Sequence, residues 1–70
     1  MEPVTVNSSA IAQVQFIETL NILEVMFHTG RLYRYYMVPR EVYDSLIEAE
    51  SIGRYFNLAV RDCYSSERLT

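Results

Sequence analysis

The sequence predicts an α+β fold, a three- or four-stranded antiparallel β-meander followed by two α-helices packed on one face. Three observations carry that expectation. Apolar residues alternate with a period of two from Leu23 to Phe27 and from Tyr33 to Met37, on either side of a turn at Gly30; this is the pattern of a strand pair with one buried face. After Pro39 the period changes to that of a helix, first over Val42, Tyr43, Leu46 and Ile47 and then over Ile52, Tyr55, Phe56, Ala59, Val60 and Cys63. A short sheet with one apolar face is not stable alone in water, so the helices must cover it.

Taken in order, residues 1–9 are an N-terminal arm or edge strand, with Val4-Thr5-Val6 as the candidate strand and Asn7-Ser8-Ser9 as a turn. Whether that strand pairs within the chain or with another copy stays open. The meander occupies residues 10–38. In its first long strand Val14 and Phe16 alternate with Gln13 and Gln15. A loop of Glu18-Thr19-Leu20-Asn21 then sets Ile17 opposite Ile22, Phe16 opposite Leu23 and Val14 opposite Val25. At the next turn, His28-Thr29-Gly30 with Gly30 in the left-handed region sets Phe27 opposite Arg31, Val25 opposite Tyr33 and Leu23 opposite Tyr35. A shorter Thr29-Gly30 turn would put Val25 opposite Arg34, a charge among apolar residues, and is disfavoured for that reason. Val14, Phe16, Leu23, Val25, Phe27, Tyr33, Tyr35 and Met37 therefore share the inward face.

The two helices fall in residues 39–64. Pro39 suits a first helical turn and biases Val38 towards extended backbone. Between Arg40 and Ala49 the acids Glu41, Asp44 and Glu48 lie opposite the apolar stripe, and Glu41 complements the helix dipole. Ser51 is the candidate N-cap of a second helix reaching about Tyr64. Gly53, which costs roughly 1 kcal/mol against alanine inside a helix, points to a close approach by another backbone. Residues 65–70 carry no periodic apolar side chain and are expected to be a frayed tail.

A chain of 70 residues holds one domain with a small core. Half of it is apolar, which excludes disorder, and no apolar run approaches the ~20 residues of a membrane span. A soluble protein with no membrane partner follows, and, since MEPVTVNSS lacks the pattern of a secretory signal, a cytoplasmic one. The single cysteine, Cys63, excludes an internal disulfide and a multi-thiolate metal site; it is expected to be a small apolar filler on a helix face. His28 lies in a turn, away from Cys63. No apolar pocket isolates a carboxylate pair, so no catalytic residue, metal, cofactor or small-molecule substrate is expected, and the chain does not read as an enzyme.

Charge is unevenly placed. The net charge is −3, yet residues 31–40 carry Arg31, Arg34 and Arg40 with no acid, and all six basic residues are arginine, which favours planar contacts to phosphate or carboxylate. Tyr33 and Tyr35 would stack on unpaired bases if exposed, but their parity sends them inward and leaves Tyr36 facing out beside Arg34. The candidate surface for RNA or another anion is thus Arg31, Arg34, Tyr36 and Arg40. A weaker second patch is Arg54 and Arg61 with Asn57 between them, unless these are solvated or bonded to Glu48 and Glu50. The outward face also holds Ile17, Ile22, Met26, Leu32 and Tyr36, more apolar than an open face requires. It is a candidate interface for a homodimer or another protein, unless the N-terminal strand or the tail covers it.

Several segments together resemble a known family: Val6-Asn7-Ser8-Ser9; Ile11, Val14 and Phe16; Leu23, Val25 and Phe27 before Gly30; Tyr33-Arg34-Tyr35; Val38-Pro39 with Tyr43; and Ser51-Ile52-Gly53-Arg54-Tyr55-Phe56-Asn57 leading to Arg61 and Tyr64. Their order and spacing resemble the KTSC domain, a small module named for the C-terminus of some lysyl-tRNA synthetases and also found as a single-domain protein. The chain departs from it at Phe16-Ile17-Glu18, where members often have Tyr followed by Asp. The resemblance implies a stand-alone binding module of no established activity, with RNA or tRNA as a partner by association.

Overall fold

A computed structural model describes residues 2–70. The strands are β1 (Val4–Thr5), β2 (Ile11–Ile17), β3 (Ile22–Phe27), β4 (Leu32–Tyr35) and β5 (Ser66–Arg68), with α1 (Arg40–Glu48) and α2 (Ile52–Ala59) between β4 and β5. They form one antiparallel sheet in the order β1-β2-β3-β4-β5. The fold is α+β, as the periodicities predict.

The central register is the expected one. Phe16 pairs with Leu23, Val14 with Val25, Val25 with Tyr33 and Leu23 with Tyr35. Gly30 takes a φ of 91°, its N–H donates to the Phe27 carbonyl at 2.9 Å, and the Phe27 N–H donates to the Arg31 carbonyl at 2.9 Å. A side chain at Gly30 would be strained by the backbone alone, because that φ is rare for L-residues. Asn21, with a φ of 53°, closes the other loop. The arm pairs within the chain, Val4 against Val14 and Thr5 against Gln13. The Ser8 hydroxyl accepts from the Ala10 and Ile11 N–H groups, each at 3.2 Å, and so shapes the turn before β2.

Strand β2 contains a feature that strict alternation does not reveal. Ile11 pairs with Phe27 but Gln13 with Met26, so Ala12 is an extra residue in the ladder. Such a bulge shifts parity by one. Ile11 thereby joins Val14 and Phe16 in the core although their numbers differ in parity.

Six expectations need correction. Met37 does not continue the inward face: β4 stops at Tyr35, Met37 takes a φ of 57° and is 83% exposed, and the reversal carries Val38 into the core instead. Pro39 is the N-cap of α1, one residue before its first turn. Helix α2 ends at Ala59 and not near Tyr64: the N–H groups of both Val60 and Arg61 converge on the Phe56 carbonyl, and Val60 leaves helical geometry while remaining buried. Cys63, beyond that end, is exposed, with its thiol directed at the Leu58 carbonyl. No backbone crowds Gly53, where an added Cβ would meet only the Ser8 hydroxyl at 3.8 Å, an ordinary contact.

The sixth concerns the tail. Ser66, Glu67 and Arg68 pair with Tyr35, Arg34 and Tyr33 to make β5. Its ends are fixed as well: the Tyr36 N–H donates to Ser65 C=O, Leu69 N–H to Leu32 C=O, and the Thr70 hydroxyl takes the Leu32 N–H and donates to Gly30 C=O. These bonds satisfy the outer edge of β4, which would otherwise expose unpaired backbone.

The helices cover the inward face by aromatic contacts. Tyr43 of α1 stacks on Phe16 of β2, centroids 5.1 Å apart and planes 16° from parallel. Phe56 of α2 meets Phe27 and Tyr35 edge-on at 5.6 and 5.5 Å. Thus α1 covers the β2 side and α2 the β3–β4 side, with Leu46 and Val60 completing the core. No helix among the described residues is long and apolar enough to cross a membrane.

Candidate functional site

Because α2 sits over β3 and β4 and ends early, an open cleft of about 570 Å³ remains between the β3–β4 turn, the end of α2 and the start of β5. Its floor is aromatic: Phe27, Tyr33, Tyr35 and Phe56. Tyr33 meets Phe27 edge-on at 5.7 Å and lies over Tyr35 at 6.4 Å, 25° from parallel. Both tyrosines face inward, as alternation predicts, but they differ in access. Tyr35 is buried, whereas Tyr33, like Phe27 beside it, is half-buried and offers a ligand accessible aromatic surface.

The rim is polar. Arg31 stands beside the turn, Asn57 on α2, and Arg61 and Asp62 in the segment following it, with Ser66 at the start of β5. Arg31, Arg61 and Asp62 are exposed, and none has an ion-pair partner among the described residues. His28 donates through Nε2 to the Ser8 carbonyl at 2.9 Å, which holds the N-terminal arm at the mouth of the cleft.

Arg61 and Asp62 also reach the Tyr35 hydroxyl electrostatically. Burial first, then neighbouring Tyr33, raises the Tyr35 ionisation above its usual 10.0; Arg61 opposes this and Asp62 adds to it. Burial likewise raises Tyr43. In the unfolded chain both lose their protons near pH 10, before the folded chain does, so stability is complete below about pH 10 and falls as pH rises beyond it. The expected result is a lower urea midpoint at about pH 11 than at pH 8, with the drop reduced in Tyr43→Phe.

The other candidate residues lie elsewhere and are mostly engaged. Arg34 forks onto Glu24 Oε2, Nε at 3.0 Å and Nη2 at 2.7 Å, and stands opposite Glu67 of β5. The bond to Glu24, followed by that to Tyr36, raises the Arg34 pKa further. The Tyr36 hydroxyl donates to Glu67 Oε1 at 2.7 Å, and that bond is the first cause of its raised pKa. A polar ladder thus crosses the outer face from β3 to β5. Arg40 bonds Glu18 at 3.1 Å and faces Asp44 at 3.7 Å. Arg54 lines a separate depression with Glu50, Ser51, Tyr55 and Leu58. Of the six residues expected to bind an anion, the cleft unites Arg31 and Arg61. Of the candidate interface, Ile22 is buried, and Ile17, Met26, Leu32 and Tyr36 are half-buried around the ladder.

Alternation marks Tyr33 and Tyr35 as inward but says nothing of the gap above them. Asp62 and Ser66 carry no local signal of a site, since they reach it only through the early end of α2 and the return of β5.

Comparison with known proteins gives this geometry a lineage. The family model of the KTSC domain matches residues 7–64. The chain is 46% identical over 57 residues to an uncharacterised protein of Stutzerimonas stutzeri, covering 81% of this chain and 80% of that one. It is 44% identical over 61 residues to a protein of Tsukamurella paurometabola, 87% and 88% covered. A third relative is the lysine–tRNA ligase of Nostoc punctiforme, 31% identical over 62 residues, which are 89% of this chain and 11% of the ligase. The crystal structure of a KTSC domain protein from Yersinia pestis has the same fold, with a TM-score of 0.92, 24% identity and coverage of 99% and 97%. With nearly its whole length matched by the family model and by two relatives of its own size, the chain belongs to the KTSC domain family.

Proposed function

We propose that this domain is a non-catalytic, cytoplasmic binding module that takes an unpaired stretch of RNA into the cleft between the β3–β4 turn and α2. The observation that carries this is Arg31 and Arg61, both without ion-pair partners among the described residues, at the rim of a cleft with Tyr33 accessible in its floor. Aromatic rings stack on bases of any sequence, and guanidinium groups meet the phosphates between them. The lysine–tRNA ligase of Nostoc punctiforme carries a segment similar to this chain, which fits an RNA partner, tRNA included. Binding is assigned to the cleft and not to the outer face, because Arg34 is neutralised by Glu24 and the Tyr36 hydroxyl is engaged by Glu67. The same ladder, with Ile22 buried, leaves a second copy or another protein a less suitable surface on that face.

The test is fluorescence anisotropy of labelled single-stranded RNA across a salt series. Two phosphate contacts on a single strand give a log–log slope of about −1.4, or about a sevenfold weakening between 50 and 200 mM salt. Absence of saturable binding at low salt, or binding indifferent to salt, refutes the proposal. Sedimentation velocity on the same samples separates it from self-association, which would appear as a concentration-dependent mass.

A further inference from the structure

We infer that the cleft prefers guanine, with the Asp62 carboxylate accepting hydrogen bonds from the base's Watson–Crick edge and the Asn57 carboxamide donating to its O6. This rests on the cleft taking an unpaired nucleotide. Asp62 is the one acidic side chain in the lining. It is exposed and has no ion-pair partner among the described residues, so its charge is not committed to the fold.

A free carboxylate in a cleft meant for a polyanion weakens binding unless it meets hydrogen-bond donors, which in RNA are the ribose 2′-hydroxyls, one donor each, and the base edges, where two can lie side by side. The four bases differ in what they offer. Guanine presents two adjacent donors, N1–H and the N2 amino group, which match the two oxygens of one carboxylate. Cytosine and adenine each offer an amino group beside a ring nitrogen acceptor, which repels the second oxygen. Uracil offers one N–H between two carbonyls. An amide on the same lining completes the match, because the guanine O6 accepts the N–H that the Asn57 carboxamide can donate. Flipped or unpaired bases are read by hydrogen bonds to this edge. Arg31 and Arg61 remain for the phosphates.

The experiment uses four labelled hexanucleotides, a uridine strand and the same strand with one central guanosine, adenosine or cytidine, plus a fifth with inosine in place of the guanosine. The guanosine strand is expected to bind about tenfold more tightly than the other three, the value of one good bidentate contact. Inosine, which lacks the N2 amino group, should fall between. Asp62→Asn should bring the guanosine strand to the level of the uridine strand, and circular dichroism checks that the variant is folded. Equal affinity for the four strands, or a guanine preference that survives Asp62→Asn, overturns the base assignment while leaving RNA binding in the cleft standing. If no strand binds at low salt, both fail.

Discussion

Tyr43→Ala should lower the stability of this domain by about 3–5 kcal/mol, the usual cost of removing a large aromatic ring from a packed core. Tyr43 is 1% exposed and lies flat on Phe16, itself fully buried, so its loss leaves a void against a rigid sheet and not at a yielding edge. It is also one of only two buried side chains on α1, the other being Leu46. A domain of 70 residues has a total stability of about 3.5–10 kcal/mol. The change therefore removes a large share of it, and at 37 °C much of the population should unfold. Urea denaturation followed by far-ultraviolet circular dichroism measures this, and Tyr43→Phe, which keeps the ring, should lose less than about 1.5 kcal/mol. A loss below about 1 kcal/mol in Tyr43→Ala would mean that α1 does not hold the sheet in the way described.

Reversing both rim charges should have the largest effect on binding. Each contact between a guanidinium and a phosphate is worth about 1.4 kcal/mol or more, a factor of ten. Arg31→Glu with Arg61→Glu is therefore expected to weaken single-stranded RNA binding at least about a hundredfold. Both side chains are exposed and outside the ion pairs, so the thermal transition should move little. Arg34→Glu is the informative contrast. It would place three carboxylates in a row across β3, β4 and β5, where Glu24, Arg34 and Glu67 now alternate in sign. Its main consequence should be for stability, and a variant that lost RNA binding while melting normally would return the outer face to consideration.

How much of this was legible in the sequence follows from how local each feature is. The central hairpins are fixed by turns of three and four residues and by alternation, all within one stretch, and Gly30 leaves one acceptable register. The helical stripes were equally visible, and Tyr43, Leu46 and Phe56 are buried as their spacing requires. The failures are non-local. Ser66-Glu67-Arg68 look like a tail because all three are exposed, and what recruits them is the open backbone of β4, more than thirty residues away. The bulge at Ala12 leaves no mark because alanine fits either face. Cys63 continued the helical period in number only: once the chain unwinds after Ala59, the periodicity no longer says which way it points. The cleft depends on both of these events, the end of α2 and the arrival of β5, and so its membership could not be read from spacing.

The extra residue in β2 has a consequence for how copies of the domain behave when crowded together. Fibrillar stacking needs long, flat edges along which strands of different molecules can zip in register. Here one margin is a two-residue strand and the other a three-residue strand bearing Glu67 and Arg68, while the irregularity at Ala12 adds coiling to the sheet between them. A protein half of whose residues are apolar is thereby kept from offering its neighbours a template.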